Sequence, residues 1–431
     1  MPAAFLSARI LAATAPEPHP LIMLPFAAML LCIALLPFLL RHHWERNYHL
    51  IASGLAAITI LYYVVVLRNP ARLLHEGTDY ISFMALVGSL FVVAGGVHLG
   101  LSGMAKPLLN SAFLLVGGLL ANVVGTTGAS MLLIRPWIRL NQSRYAGMHT
   151  AFFIFIISNV GGLVPLGPPL FLGYLKGLPF WWPVQNCWLP WTVAMGALLV
   201  IFYALDKWNF HRAPRTEQKR EPLAKRIEVR GLRNVVFLVL VLAAIFVNKP
   251  PFLREVMMLV AALGSYFSTP KDIHRANSFS FEPLKEVAWL FFGIFATMIP
   301  VLDYMRLHAD QLAINSPAKY FWFTGVLSSV LDNAPTYLTF LANALGRYGL
   351  TLGSKGELAQ FLAAHSQTAI AISLGAVFFG AGTYIGNGPN FMVKAIAQEQ
   401  KMPTPGFFAY LLKYALPILT PVFVLVAWLF F

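Results

Sequence analysis

Two short motifs in this chain set polar groups inside long apolar runs. The first is Gly125-Thr126-Thr127-Gly128-Ala129-Ser130, and the second, about 210 residues later, is Asp332-Asn333-Ala334-Pro335-Thr336. Each is followed by another interruption. In the first half it is Ser158-Asn159, Gly162, Gly167, Pro168 and Pro169; in the second it is Thr383, Gly386, Asn387, Gly388, Pro389 and Asn390. Lipid cannot satisfy bare backbone amides, so a helix broken at membrane depth survives only where protein buries it or it lines a site. At such a break the N–H groups that start one half-helix attract anions, and the carbonyls that end the other can bind Na⁺. The hydroxyls of Thr126, Thr127, Ser130, Ser158, Thr336 and Thr383 would add neutral oxygens. So would the amides of Asn159, Asn333, Asn387 and Asn390, the ligand type that hard cations prefer. The plainer reading is that Ser and Thr bond back to their own helices, and that the prolines serve packing. Repetition in both halves favours a site.

Asp332 is the sharpest single residue. It is the acid that falls well inside an apolar run, whereas Asp206, Asp303, Glu255 and Glu286 fall near the ends. A carboxylate in lipid is costly and functional by default. Burial favours its neutral form and a bound cation favours its charged form, so one group can exchange H⁺ for Na⁺. Capping the second half-helix is the alternative, and the two roles can coexist. Arg135 and Lys394 are the nearby cations. Either could meet an anionic substrate, although snorkelling to the interface is the commoner behaviour.

The elements that must position these groups follow from composition. Of 431 residues, 58% are hydrophobic and 11% charged, where soluble proteins carry about 25% charge. Runs at 21–40, 50–67, 81–101, 189–205, 235–247, 287–305 and 407–431 approach or reach the about 20 residues that cross a bilayer. The net charge of +14 does not point to nucleic acid. Nine Lys/Arg against three acids lie within residues 207–233, and basic loops between spans stay in the cytoplasm. The two cysteines and the spacing of the eleven histidines provide no disulfide framework and no metal set. Residues 1–20 form an N-terminal segment with weak features of a signal; Pro16 and the short apolar run argue against cleavage.

Walking the loops with basic residues inside gives about ten crossings and two re-entrant hairpins, an all-α polytopic membrane protein with discontinuous helices. The first repeat occupies 21–206 with an inner hairpin at 108–137. A basic cytoplasmic linker runs over 207–232, and the second repeat occupies 233–431 with an outer hairpin at 320–344. Each half has an odd number of crossings, so the halves are inverted. The apolar stretch 338–345 keeps a full span there as the rival topology.

At these motifs the chain resembles the ion transporter superfamily, which includes citrate and other di- and tricarboxylate transporters, arsenite exporters and a class of bacterial Na⁺/H⁺ antiporters. Asp332-Asn333-Ala334-Pro335 is similar to the Asp-Asn-x-Pro of the antiporter and arsenite branches. Thr126-Thr127-Gly128-Ala129-Ser130 stands in the place of the Ser-Asn-Thr hairpin tip of the carboxylate branch, with different residues. Gly167-Pro168-Pro169 and Gly388-Pro389-Asn390 resemble that branch's Pro-Pro-Asn turns. A citrate-transport or sodium:proton antiporter subfamily is the nearest match. The resemblance implies a homodimer, in which a scaffold domain lies beside a moving transport domain. One departure stands out: Gly125-Thr126 replaces Asp332-Asn333 in the first hairpin, against a mechanism using two carboxylates.

These residues therefore read as an ion-coupled secondary transporter of the bacterial inner membrane, with no cofactor beyond Na⁺ or H⁺ as coupling ions and no structural metal. Its first expected activity is Na⁺/H⁺ antiport by alternating access with Asp332 as the switch. Cation-coupled movement of citrate or a similar carboxylate is the leading alternative, and an arsenite-type exporter ranks below it. A membrane-embedded enzyme would need a nucleophile–base pair or a metal set near one face, which the spacing does not supply.

Overall fold

A computed structural model describes residues 17–101, 106–163, 168–212, 227–247, 249–277, 279–308, 311 and 314–431. Residues 1–16 of the N-terminal segment, Gly167 of the first broken span and most of the basic linker lie outside these. The described residues are overwhelmingly helical, and the chain is an all-α membrane protein. Among the described residues, six helices are long and apolar enough to cross a membrane: Arg46–Val66, Pro70–Gly95, Pro107–Arg144, Trp182–Arg212, Leu284–Met305 and Phe407–Phe430.

The first half contains α1 (Leu24–Leu39), α2 (Arg41–Leu61, prolonged by a π-helical turn Tyr62–Val66) and α3 (Pro70–Gly95). Strand β1 (His98–Leu101) leads into α4 (Pro107–Asn141). Then come α5 (Gly147–Phe155, prolonged by a π turn Ile156–Val160), α6 (Pro168–Leu175) and α7 (Trp182–Arg212). The second half contains β2 (Ile227–Arg230), α8 (Arg233–Ala244), α9 (Leu253–Ser268), α10 (Lys271–Ala276) and α11 (Glu282–Leu307). After these follow α12 (Pro317–Val330), α13 (Asn333–Gly346), α14 (Lys355–Ala364), α15 (Ser366–Phe379) and α16 (Gly388–Glu399). The last helix begins as α17 (Phe407–Tyr410), continues as a π turn (Leu411–Leu419) and ends as α18 (Thr420–Phe430).

The element α4 is one helix only in name. Gly125 has φ 74 and ψ 157 in its middle, and there the chain doubles back. Asn110 Nδ2 donates to Asn141 Oδ1 at 2.7 Å across 31 residues, which a straight helix would hold about 46 Å apart. Helices α12 and α13 fold back in the same way at Leu331–Asp332, and Tyr320 Oη donates to Asn343 Oδ1 at 2.9 Å. Helix α13 is buried along its length, so the apolar stretch 338–345 packs within protein.

The two halves pack reciprocally. Helix α2 lies on α11, and α9 lies on α3; α4 meets α16, and α13 meets α6. The bundle has two distinct ends. At one, β1 and β2 pair antiparallel from His98↔Arg230 to Leu101↔Ile227. Asn277 Nδ2 donates there to Gly95 O and Val97 O, both at 2.8 Å. At the other, Tyr63 Oη donates to Asp303 at 2.8 Å, and Lys176 Nζ lies 2.7 Å from Glu76 and 2.6 Å from Asp79.

Several sequence expectations shift. The apolar run 81–101 is not one span: α3 starts at Pro70, capped by Asn69 Oδ1 accepting from Arg72 N at 3.3 Å. It ends at Gly95, where the consecutive glycines Gly95 and Gly96 weaken the helix, and 98–101 is strand. Helix α7 runs on to Arg212. Helix α14 had no counterpart in the sequence reading, and it meets the next helix at 101°. A group of potential metal ligands, His75, Glu76 and Asp79, does converge within 4.8 Å. Helical spacing puts them on one face, but Lys176 occupies both carboxylates.

Candidate functional site at the four helix breaks

The four interruptions meet. On the first side, Asn122 of α4 spans the break after α5. Its Nδ2 donates to Gly161 O at 2.7 Å, and its Oδ1 accepts from Leu163 N at 2.7 Å. Ser130 Oγ and Ser158 Oγ are 2.8 Å apart. The tip itself presses on the break: a Cβ on Gly162 would lie 2.6 Å from Thr126 Cγ2, so any larger residue there would have to displace the Thr126 side chain.

The second side repeats the plan with other residues. Ser328 Oγ donates to Ala376 O at 2.7 Å, and Thr383 Oγ1 donates to Ser329 O. Asn333 N donates to Gly386 O at 3.2 Å. Each hairpin tip is thus bonded to the broken span of its own half. The prolines start second half-helices. Pro335 and Pro389 stand in the first turns of α13 and α16, where a missing N–H costs nothing. Pro168 and Pro169 open α6.

The asparagines join the two broken spans to each other. Asn387 Nδ2 donates to Ser158 O at 2.8 Å and to Asn159 Oδ1 at 3.1 Å. Asn159 Nδ2 donates to Asn390 Oδ1 at 2.8 Å, and Asn390 Nδ2 reaches Gly380 O at 2.8 Å and Thr383 O at 2.9 Å. Asn159, Asn387 and Asn390 are therefore engaged with one another and with backbone. Thr336 Oγ1 bonds back to Asp332 O at 2.9 Å.

What stays open is at the tips. Among the described residues, Thr126 Oγ1 and Asn333 Oδ1 are buried with no hydrogen-bond partner. Thr127 beside the first is half-buried, and Gly128 packs near Ala94. Asp332 is buried and caps α13, its Oδ1 accepting from Ala334 N at 3.0 Å. A cavity of about 100 Å³ touches Asp332, Asn387 and Gly388, and extends past Ile33, Trp44 and Glu286. A buried carboxylate beside an orphaned amide oxygen is a donor set that suits a small hard cation. An orphaned hydroxyl beside a reversed backbone suits the polar edge of a small ligand.

Asn122 was missed by the sequence reading, and so were Ser328 and Ser329. Asn122 is the one strongly polar residue in the run from Ala112 to Val124, and that was the available signal. Also unforeseen is the network beneath the first hairpin. Asp206 is fully buried and pairs with Arg144 through both carboxylate oxygens. It also accepts from Asn110 Nδ2 at 2.8 Å and from His149 Nε2 at 3.1 Å. Position near a helix end in sequence said nothing of that burial.

Compared with known protein families, residues 17–431 match the family described as putative citrate transport. No curated protein matches the chain.

Proposed function

The chain belongs to the putative citrate transport family, and on that premise we propose that it is a cation-coupled carrier of citrate or a similar carboxylate. The observation that carries the reading is that asparagines tie the two broken spans together, and each span holds the folded-back tip of its own half, one bearing Asp332 and the other Thr126. In this reading the Asp332 carboxylate and Asn333 Oδ1 hold Na⁺ or a proton. The Thr126 hydroxyl, with Thr127, Ser130 and backbone N–H groups nearby, holds the substrate carboxylate. Neutralising Asp332 lowers the cost of carrying a charge through an apolar interior, so the loaded carrier moves and the empty one does not.

The membrane frame follows the same logic. The hairpin α4 would enter from the end holding β1, β2 and the end of α7, read as the cytoplasmic face, and α12–α13 would enter from the opposite face. The halves form an inverted repeat, and helices α1–α3 with α8–α11 form the scaffold of a homodimer in the bacterial inner membrane. Alternating access moves the four breaks past that scaffold.

A second reading, Na⁺/H⁺ exchange with no organic substrate, is favoured by Asp332 being the carboxylate at a tip. Vesicles containing the purified protein separate the two. Labelled citrate uptake that saturates and follows an imposed Na⁺ or H⁺ gradient is the expected result. A Na⁺-driven pH change with no citrate uptake selects the second reading. Unitary conductance would remove both.

A further inference from the structure

Between α3, the residues Asn277, Phe279 and Ser280, the returning arm of α4 and α16 lies a second cavity, of about 280 Å³. That is close to the size at which small-molecule pockets begin, about 300 Å³. Its walls are largely apolar, with Phe91, Phe279 and Met392 among them, and two charged side chains face it: Arg135 of α4 and Glu399 of α16. Arg135 is half-buried, and among the described residues it makes no hydrogen bond and no ion pair. Glu399 acts on it electrostatically without closing a contact. A guanidinium drawn partly out of water with its donors idle is unfavourable until an anion meets it. Its planar fork of donors matches a carboxylate with two parallel bonds.

Position adds to chemistry. Arg135 is ten residues beyond Gly125 on the returning arm, about 15 Å along the helix, towards the end that holds β1 and β2. One wall of the cavity belongs to α3 with Asn277, Phe279 and Ser280, and the other to α4 and α16. These are the two layers that alternating access would slide past each other. A ligand seated there would touch both.

We propose that this cavity is a vestibule for carboxylates, in which Arg135 receives a carboxylate group on the cytoplasmic side of the Thr126 tip. Glu399 tempers the attraction, so that the group is passed on rather than trapped. The inference rests on the carboxylate-carrier reading above, and the test keeps the two apart. Purified protein in nanodiscs of neutral lipid is heated with citrate, succinate or sulfate over a range of concentrations, and labelled citrate uptake is measured in vesicles.

We expect citrate to stabilise the wild type. Arg135→Ala should need about tenfold more citrate for the same shift, Arg135→Lys an intermediate amount, and Glu399→Gln less than the wild type. If Arg135→Ala does not fold, Arg135→Gln takes its place. Equal citrate dependence in wild type and Arg135→Ala, with uptake intact, overturns the vestibule and leaves the carrier reading standing. Stabilisation by succinate through Arg135, with no carboxylate transported, does the reverse. Stabilisation only by added phosphatidylglycerol, lost in Arg135→Ala, assigns the cavity to a lipid headgroup and overturns the proposal. So does the absence of any anion effect.

Discussion

The two folded-back segments are built to one plan and differ in where they keep their charge. The first, α4, has a neutral tip at Thr126 and a charged base. There Asp206 gathers Arg144, His149 and Asn110 in full burial. His149 Nδ1 accepts from Ala146 N at 3.0 Å, so Nε2 carries the proton that reaches Asp206, a tautomer assigned from the network. The second, α12–α13, has a charged tip at Asp332 and a base whose arms are joined by the neutral pair Tyr320 and Asn343. Their turns differ as well. Gly125 adopts φ 74, outside the range of ordinary side chains, while Leu331 and Asp332 turn at φ −109 and −55. A clamped base with a neutral tip makes a fixed wall. A base joined by a neutral pair, with a carboxylate at its tip, would make the part that responds to an ion.

The sharpest way to break this comparison is Asp332→Asn. Asparagine caps a helix as well as aspartate does, so the fold should survive while gradient-driven uptake in vesicles falls to background. Thr126→Val, the matching change on the neutral tip, should reduce uptake and leave it measurable. Wild-type coupling in Asp332→Asn would end the argument that the second tip holds the switch.

Next in size is the charged base. Asp206→Ala leaves Arg144 buried without its partner, which costs about 3–5 kcal/mol. A large fall in thermal stability in detergent is the measurement, and an unchanged melting point would show that the base is no clamp. Gly125→Ala asks an L-residue to hold a strained backbone, at about 1–3 kcal/mol; Leu331→Ala, at the other turn, carries no such strain. If both variants melt alike, the turns are not the asymmetry described. The smallest effect is expected from Tyr320→Phe, which removes one neutral hydrogen bond worth about 1 kcal/mol. A loss there equal to that of Asp206→Ala would erase the contrast between the bases.

Much of the plan was legible. Gly125 and Asp332 were visible as polar or flexible residues in apolar runs, and the helices do reverse at Gly125 and at Leu331–Asp332. Pro335 and Pro389 marked half-helix starts because a ring without an N–H fits a first turn and little else in a helix. Other features were not legible, for identifiable reasons. The apolar run to Leu101 hid a helix end, since apolarity does not distinguish a short strand from a helix. Asn159, Asn387 and Asn390 read as ligands by type, yet their amides are engaged in joining the broken spans, a fact that depends on partners some 230 residues away. Asn122 looked like an incidental polar residue until its two bonds to Gly161 and Leu163 were in view.

Sequence alone determined that this chain lives in a membrane, that its helices break in corresponding places, and that one break carries an acid. Those properties are local: hydropathy, missing N–H groups and side-chain charge need no knowledge of neighbours. Tertiary structure decided which polar atoms are spent and which remain. Asp206 and Asp332 are both buried carboxylates, but one is saturated by an arginine, a histidine and an asparagine, while the other has, among the described residues, only the N–H of Ala334. Free coordinating capacity is a property of the surroundings, and the surroundings come from the far half of the chain.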